Sequence, residues 1–237
     1  MDSSAPDLLS PEARSRVFVI IPCYREEASV VENTVRPLVE EGYSVVLVDD
    51  GSPLPLQMPS LPVTILRHVV NRGQGAALQT GGDFARAHGA LAVVHFDGDG
   101  QHDAAAIPRA LQWMQESGVE AILGSRFLRQ EDWQAVPPRR RLLLRLARWV
   151  NGLLTGVWLT DAHNGFRVLS ARALASIRLQ EDRMAHASEI LIQLRRHRLS
   201  FRELAVHVSY SEYARRKGQR AWAALEILTD LFWERWL

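Results

Sequence analysis

The feature that most restricts this chain is an alternation of short apolar, β-branched runs with longer stretches of helical periodicity. The runs are "VFVII" (17–21), "SVVLV" (44–48), a strand near 62–67, "LAVVHF" (91–96) and "EAILG" (120–124), with helices expected near 26–41, 74–88 and 104–117. Such alternation predicts a parallel-rich sheet covered by helices on both faces, the α/β class. Each apolar run stops at polar or glycine-rich residues: Pro22 to Glu26, Asp49 to Ser52, Asp97 to Asp103, and Gly124 to Arg126. In an open α/β sheet the loops at the carboxyl ends of the strands gather around one crevice, so these four distant segments are expected to line one site.

Beyond residue 130 the pattern changes to a basic helix, "PPRRRLLLRLARWVNGLLTG". It is followed by "DAHNGFRVLS", helices near 171–176 and 185–197, a β-like "SFRELAVHVSY" and a final helix near 219–236. With 237 residues, 47% of them hydrophobic, and no internal repeat, one domain over 17–237 is expected behind a loose leader at 1–16. Twenty-eight lysines and arginines nearly balance 27 aspartates and glutamates, which gives no reason to expect a nucleic-acid partner. The single cysteine, Cys23, excludes an internal disulfide, suits a reducing compartment and reads as a small core residue. No run approaches the ~20 apolar residues of a membrane-spanning helix, and the N-terminus has no signal-peptide pattern. In the final helix Trp222, Leu225, Leu228, Phe232 and Trp236 share one side, a face for core packing, a subunit contact or a membrane.

The stretch "DGDGQHDAAAIP" (97–108) holds the densest oxygen-donor chemistry in the chain. Asp97 and Asp99, one residue apart on a tight loop, can approach a common cation, and hard oxygen ligands select Mg2+, Mn2+ or Ca2+ over zinc. A calcium loop of the helix–loop–helix type fails, because His102 stands where that loop needs glycine and Pro108 where it needs glutamate. Asp103 reads as the cap of the following helix. In "NRGQGAALQTGG" (71–82) glycines precede a helix, Gly75 among them, which serves either tight packing or an anion at the helix N-terminus. Neither the dinucleotide fingerprint nor the P-loop is matched there. Scattered histidines exclude a zinc site, and no Gly-x-Ser-x-Gly elbow is present. Arg139, Arg140, Arg141, Arg145 and Arg148 fall within ten residues without an acid, suiting either a solvated face or phosphate recognition.

The ordered series "IPCYREEASV", "VDDGSP", "NRGQGAALQTG", "DGDGQHDAAAIP", "GSRF", "DAHNGFRVLSARAL" and "YSEYARRKGQ" resembles the family-2 glycosyltransferases of GT-A fold. The similarity is to the branch of dolichyl-phosphate mannose synthase and bacterial polyprenyl-phosphate sugar transferases. The resemblance implies a nucleotide-binding half over about 17–130 and an acceptor-side half over about 131–237. It implies that Pro22, Tyr24 and Glu26 border the nucleotide, that Asp50 reaches its base or ribose, and that Asp97, Asp99 and Gln101 hold Mg2+ or Mn2+ with the donor diphosphate. Arg126 and Arg167 would face the donor–acceptor junction, and Arg215 to Lys217 would lie on a loop near phosphate. Two residues depart from the pattern: Arg25 replaces the usual asparagine, and Gln74 stands where a basic residue is common.

The implied reaction moves a hexose from a GDP- or UDP-sugar to a polyprenyl phosphate, with inversion, at the cytoplasmic face of the membrane. Anchorage would come from a membrane partner or peripheral contact, and a homo-oligomer stays open. A hydroxyl acceptor would instead need a base, for which Asp161 is the best candidate by motif and Glu189 a weaker one. The remaining alternative is a non-catalytic nucleotide- or metal-binding regulator with this fold. A processive synthase is disfavoured by the lack of a Gln-x-x-Arg-Trp motif.

Overall fold

The computed structural model describes residues 6–129, 138–161 and 164–207. Its strands are β1 (Val17–Cys23), β2 (Ser44–Asp49), β3 (Thr64–Arg67), β4 (Ala92–His95), β5 (Ala121–Ser125), β6 (Arg167–Ser170) and β7 (Phe201–Ala205). They form one sheet in the order β3-β2-β1-β4-β6-β5-β7. All run the same way except β6, which is antiparallel to both of its neighbours. The helices are α1 (Pro11–Arg14), α2 (Ala28–Glu40), α3 (Gln74–Ala87), α4 (Ala106–Ser117), α5 (Pro138–Thr155), α6 (Ala171–Ser176) and α7 (His186–Arg196).

Side-chain alternation in β1 explains the layering. Val17, Val19, Ile21 and Cys23 enter one core with Val31, Val35 and Leu38 of α2 and Ile107, Leu111 and Met114 of α4. Phe18 and Ile20 point to the other face, against Ala77, Leu78 and Ala85 of α3. The period-2 strand and the i, i+4, i+7 spacing of the helices thus meet on both sides of the sheet. Each fully buried Val, Ile or Leu contributes roughly 1.5–3 kcal/mol to holding these layers together. A third cluster joins Leu123 of β5 and Leu169 of β6 to Ile190, Leu191 and Leu194 of α7.

Two features depart from the sequence reading. The segment 6–16 is no loose leader: Ser10 caps α1, Leu8 and Ala13 are buried, and Arg14 pairs with Glu41 at 2.9 Å. The apolar side chains of this short polar segment find a place on the first core, which local composition does not reveal. Strand β6 was not anticipated either. It lies within the "GFRVLS" stretch and inserts between β4 and β5. The final helix falls outside the described residues, and no helix among those described is long and apolar enough to cross a membrane.

The sheet's order reverses between β1 and β4. There Pro22 has no N–H with which to extend the β1–β4 ladder beyond the bond from Phe96 N to Ile20 O. The strands part at that point, which is where open α/β sheets place ligands.

Candidate active site

A cleft of about 410 Å³ opens at this switch point. From β1 come Pro22 and Cys23, with Tyr24 and Glu26 just beyond; Asp50 follows β2, and Asp97, Gly98 and Asp99 follow β4. Asn71, Gly73 and Gln74 lead into α3, Gly165 and Arg167 belong to the β6 approach, and His186 and Ala187 open α7. Pro22, Tyr24, Glu26, Asp50, Asp97, Asp99 and Arg167, all singled out from the sequence, are therefore brought together.

Asp50 is heavily engaged. Its Oδ1 accepts from Arg72 N (2.9 Å) and from His68 Nδ1 (2.7 Å), and its Oδ2 accepts from Gly73 N (2.7 Å). Its carboxylate therefore shapes the 71–74 loop as well as facing the cleft. Gly75 does not line the cleft. A Cβ there would come within 1.9 Å of Glu181 O, so the position serves a close approach of α3 to the segment before α7. Glu189 holds the same segment, accepting from Gln180 N (3.0 Å) and Glu181 N (3.0 Å).

Asp97 is fixed from two sides: Gln74 Nε2 donates to Oδ1 (3.2 Å) and His102 Nε2 to Oδ2 (2.9 Å). The Gln74 amide thus touches an acidic residue of the cleft. His102 in turn packs against Phe96 and Phe166. Desolvation alone would raise the Asp97 carboxyl, but the His102 hydrogen bond and the charges of His102 and Arg167 outweigh it, holding it below the usual carboxylate range. Asp99 goes the other way, raised by burial and then by the negative charge of Asp97. Gln101 steadies it, donating from its backbone N to Oδ1 (3.1 Å) and from Nε2 to Oδ2 (2.5 Å).

This donor set fits Mg2+ or Mn2+. It offers hard oxygens, and the ionised form of Asp99 is disfavoured by a neighbouring carboxylate, a conflict that a divalent cation relieves. Among the described residues no three His, Cys, Asp or Glu side chains converge on one metal position. A cation held here would take few protein ligands, as is usual for Mg2+ bound together with phosphate.

Close to Asp97 lie one buried arginine and two buried histidines. Antiparallel β6 sets Arg167 opposite His95 of β4. Burial lowers Arg167 to about 10, opposed by Asp97 and Asp161, so it stays cationic at neutral pH. Burial, with Arg167 next, lowers His95 to about 3 and His186 to about 4. His186 donates from Nδ1 to Arg183 O (2.6 Å). His186 remains neutral in the folded protein down to about pH 4, whereas the unfolded chain takes up the proton below about 6.5. Between those values the unfolded state binds more protons. The stability is thus present above about pH 6.5 and is lost as pH falls toward 4, by on the order of 3 kcal/mol. The substitution His186→Asn retains a donor for Arg183 and removes the titration. It is expected to flatten the decline in Tm between pH 7 and 4.5; an unaltered slope would place the effect elsewhere.

Arg126 and Asp161 are not among the residues of the cleft wall. They form a two-pronged pair, Nε to Oδ2 at 2.6 Å and Nη2 to Oδ1 at 3.0 Å, with Arg126 N also donating to Oδ2 (3.1 Å). Arg215 and Lys217 lie outside the described residues. His102 and His186 were missed by the sequence reading; their contacts, His102 to Asp97 five residues back and His186 to Arg183 O three residues back, follow no repeating spacing. Arg25 has φ 53°, in the left-handed region that asparagine tolerates better, and its guanidinium lies 5.1 Å from the Tyr24 ring centre.

The family model for glycosyl transferase family 2 matches residues 18–178. The UDP-N-acetylglucosamine–dolichyl-phosphate N-acetylglucosaminyltransferase of Methanococcus voltae is 28% identical, over 91% of this chain and 94% of its own. An undecaprenyl-phosphate mannosyltransferase of Micrococcus luteus is 26% identical, over 83% of this chain and 84% of its own. Among solved structures, a mycobacterial protein superposes with a TM-score of 0.61 at 17% identity, covering 90% of this chain and 75% of that one, a likeness of fold. The family match starts in β1, ends beyond α6 and takes in the loops around the cleft through Arg167, so the chain belongs to glycosyl transferase family 2 and has the GT-A fold.

Proposed function

We propose that this glycosyltransferase moves a hexose from a nucleoside diphosphate sugar to a polyprenyl phosphate at the cytoplasmic face of the membrane, inverting the anomeric centre. The observation that carries the reading is the cleft at the β1/β4 switch point, which Asp97 and Asp99 line together with Asp50 and buried Arg167. The relatives named for dolichyl and undecaprenyl phosphates support the acceptor class.

Four carboxylates, Glu26, Asp50, Asp97 and Asp99, line the cleft, a field that repels a diphosphate unless a cation intervenes. Asp97 and Asp99 would hold Mg2+ or Mn2+, with Gln101 keeping Asp99 in place. When bound, the ion supplies Lewis-acid stabilisation of the charge that develops on the leaving diphosphate. Pro22, Tyr24, Glu26 and Asp50 would border the nucleoside, Asp50 through the loop it organises. Arg167, fixed in the sheet and cationic, would steady phosphate at the junction of donor and acceptor.

In the transfer, an acceptor phosphate oxygen forms the new bond to the anomeric carbon from the face opposite the diphosphate. The old carbon–oxygen bond breaks, and its electron pair leaves with the nucleoside diphosphate. A phosphate monoester, with a second pKa near ~6, is largely ionised at neutral pH, so this acceptor requires no strong protein base. Both oxygens of Asp161 already accept from Arg126, which suits such a reaction better than deprotonation of a hydroxyl.

The test follows labelled sugar from UDP- and GDP-hexoses with Mn2+. Label is expected in organic-extractable lipid; transfer into soluble saccharide alone would sink the acceptor assignment. UDP or GDP with Mn2+ is expected to raise Tm by mass action, and more than the nucleotide with chelator does. Equal shifts with and without metal would argue against Asp97 and Asp99 as a joint metal and diphosphate site.

A further inference from the structure

Helix α5 has two faces of opposite character. On the side turned to the protein, Asn151 and Thr155 are buried, and Ser188 of α7 donates to Asn151 Oδ1 at 3.0 Å. On the opposite side Leu142, Leu146, Trp149 and Leu153 follow i, i+4, i+7, i+11 spacing. At 3.6 residues per turn they fall within an arc of about 60°. They are 71, 60, 61 and 70% exposed. Trp158, itself half exposed, packs edge-on against Trp149 at 5.1 Å and widens the strip. Scattered exposed leucines are ordinary; a continuous row carrying a tryptophan marks an interaction surface.

Charge identifies the partner. Pro138–Thr155 contains five arginines and no acid, and Arg145 and Arg148 are exposed. A second copy meeting this face about a two-fold axis would set those arginines against their own counterparts. The chain's own segment 208–237 joins the basic run "ARRKGQR" to a stretch with Glu226, Asp230 and Glu234, so its mixed charge complements the arginines less than a surface of phosphates does. Lipid phosphates offer the complementary charge, and a helix with leucine and tryptophan on one face and arginines beside them has the composition of an in-plane interfacial anchor.

We propose that α5 docks on an anionic bilayer, laying the row from Leu142 to Leu153 at the boundary of headgroups and acyl chains with its arginines at headgroup level. The inference extends the lipid-phosphate reading by naming the surface that approaches the lipid. Because α5 supports α7, whose His186 and Ala187 line the cleft, docking fixes the height of the cleft above the bilayer.

The experiment is cosedimentation of the full chain with vesicles of phosphatidylglycerol and phosphatidylcholine, or of phosphatidylcholine alone. Binding is expected to the anionic vesicles and to weaken with salt. A chain carrying both Leu146→Ser and Trp149→Ser is expected to bind about tenfold more weakly or worse. Arg148→Glu is expected to weaken binding severalfold, and both variants are exposed substitutions expected to keep the wild-type melting curve. Absence of binding to anionic vesicles, equal binding to neutral ones, or binding unchanged in the double variant overturns the proposal. So does protection of Leu146→Cys from a soluble maleimide before vesicles are added, since the row would then be covered by the chain or a second copy; Cys23, being buried, contributes little background. Vesicle binding is read without turnover, so it stands or falls separately from the transfer reaction.

Discussion

Asp99→Asn is expected to lower sugar transfer by roughly 10²- to 10³-fold, measured as turnover of labelled donor at saturating Mn2+, while leaving the protein at least as stable as the parent. The two halves of this expectation have one origin. Burial and the charge of Asp97 raise the Asp99 carboxyl, so the folded protein holds that proton more tightly than the unfolded chain. Ionised Asp99 therefore subtracts stability once pH rises above the ordinary carboxylate range, and asparagine removes that cost. The amide keeps an oxygen for the Gln101 N–H but cannot supply the negative charge a cation requires. Full transfer by the variant would exclude Asp99 from the metal site. Loss of transfer accompanied by a fall in Tm in chelator would instead point to a structural role.

Gly165→Ala is expected to cost about 10²-fold in transfer and about 1–3 kcal/mol in stability. A Cβ at this position would stand 2.2 Å from Asp97 Oδ2 and 2.7 Å from its Cγ, well inside contact distance. Asp97 cannot swing aside without giving up hydrogen bonds from His102 or Gln74, so the added methyl displaces the carboxylate that the surrounding residues hold. The matched control is Gly82→Ala in α3, where the new Cβ meets only Leu174 Cδ1 at 3.4 Å. It is expected to leave transfer intact and, as alanine in a helix interior, to raise stability by up to about 1 kcal/mol. Equal transfer by Gly165→Ala and Gly82→Ala would show that the placement of Asp97 is not critical.

The parts of this molecule written in periodic patterns could be read from its sequence. Apolar runs such as "VFVII" and "SVVLV" announced β1 and β2, and their polar ends converge at one cleft as the topology of open sheets requires. Strand β6 escaped because four residues, Arg167–Ser170, carry too little periodicity to stand out, and because its antiparallel direction depends on a partner more than seventy residues earlier. The working contacts of the cleft were hidden for a related reason. The Gln74 contact to Asp97 spans 23 positions, and the use of Asp50 to hold backbone at Arg72 and Gly73 is a side-chain-to-main-chain contact with no repeating signature. Gly75 could be narrowed to packing or anion contact by its place before a helix; only the 1.9 Å approach of Glu181 O shows which contact it makes.

The placement of β6 between β4 and β5 also governs the order in which the chain can be completed. As the polypeptide leaves the ribosome, β5 emerges with no lateral partner, since both strands that flank it, β6 and β7, are synthesised later. Its edges stay unpaired throughout the translation of α5, an interval in which long-range pairing is slow to form and open edges favour aggregation. The stretch that finally closes this gap also delivers Gly165 and Arg167 to the cleft. A nascent chain that has not yet acquired its chemistry therefore has not yet acquired a finished core.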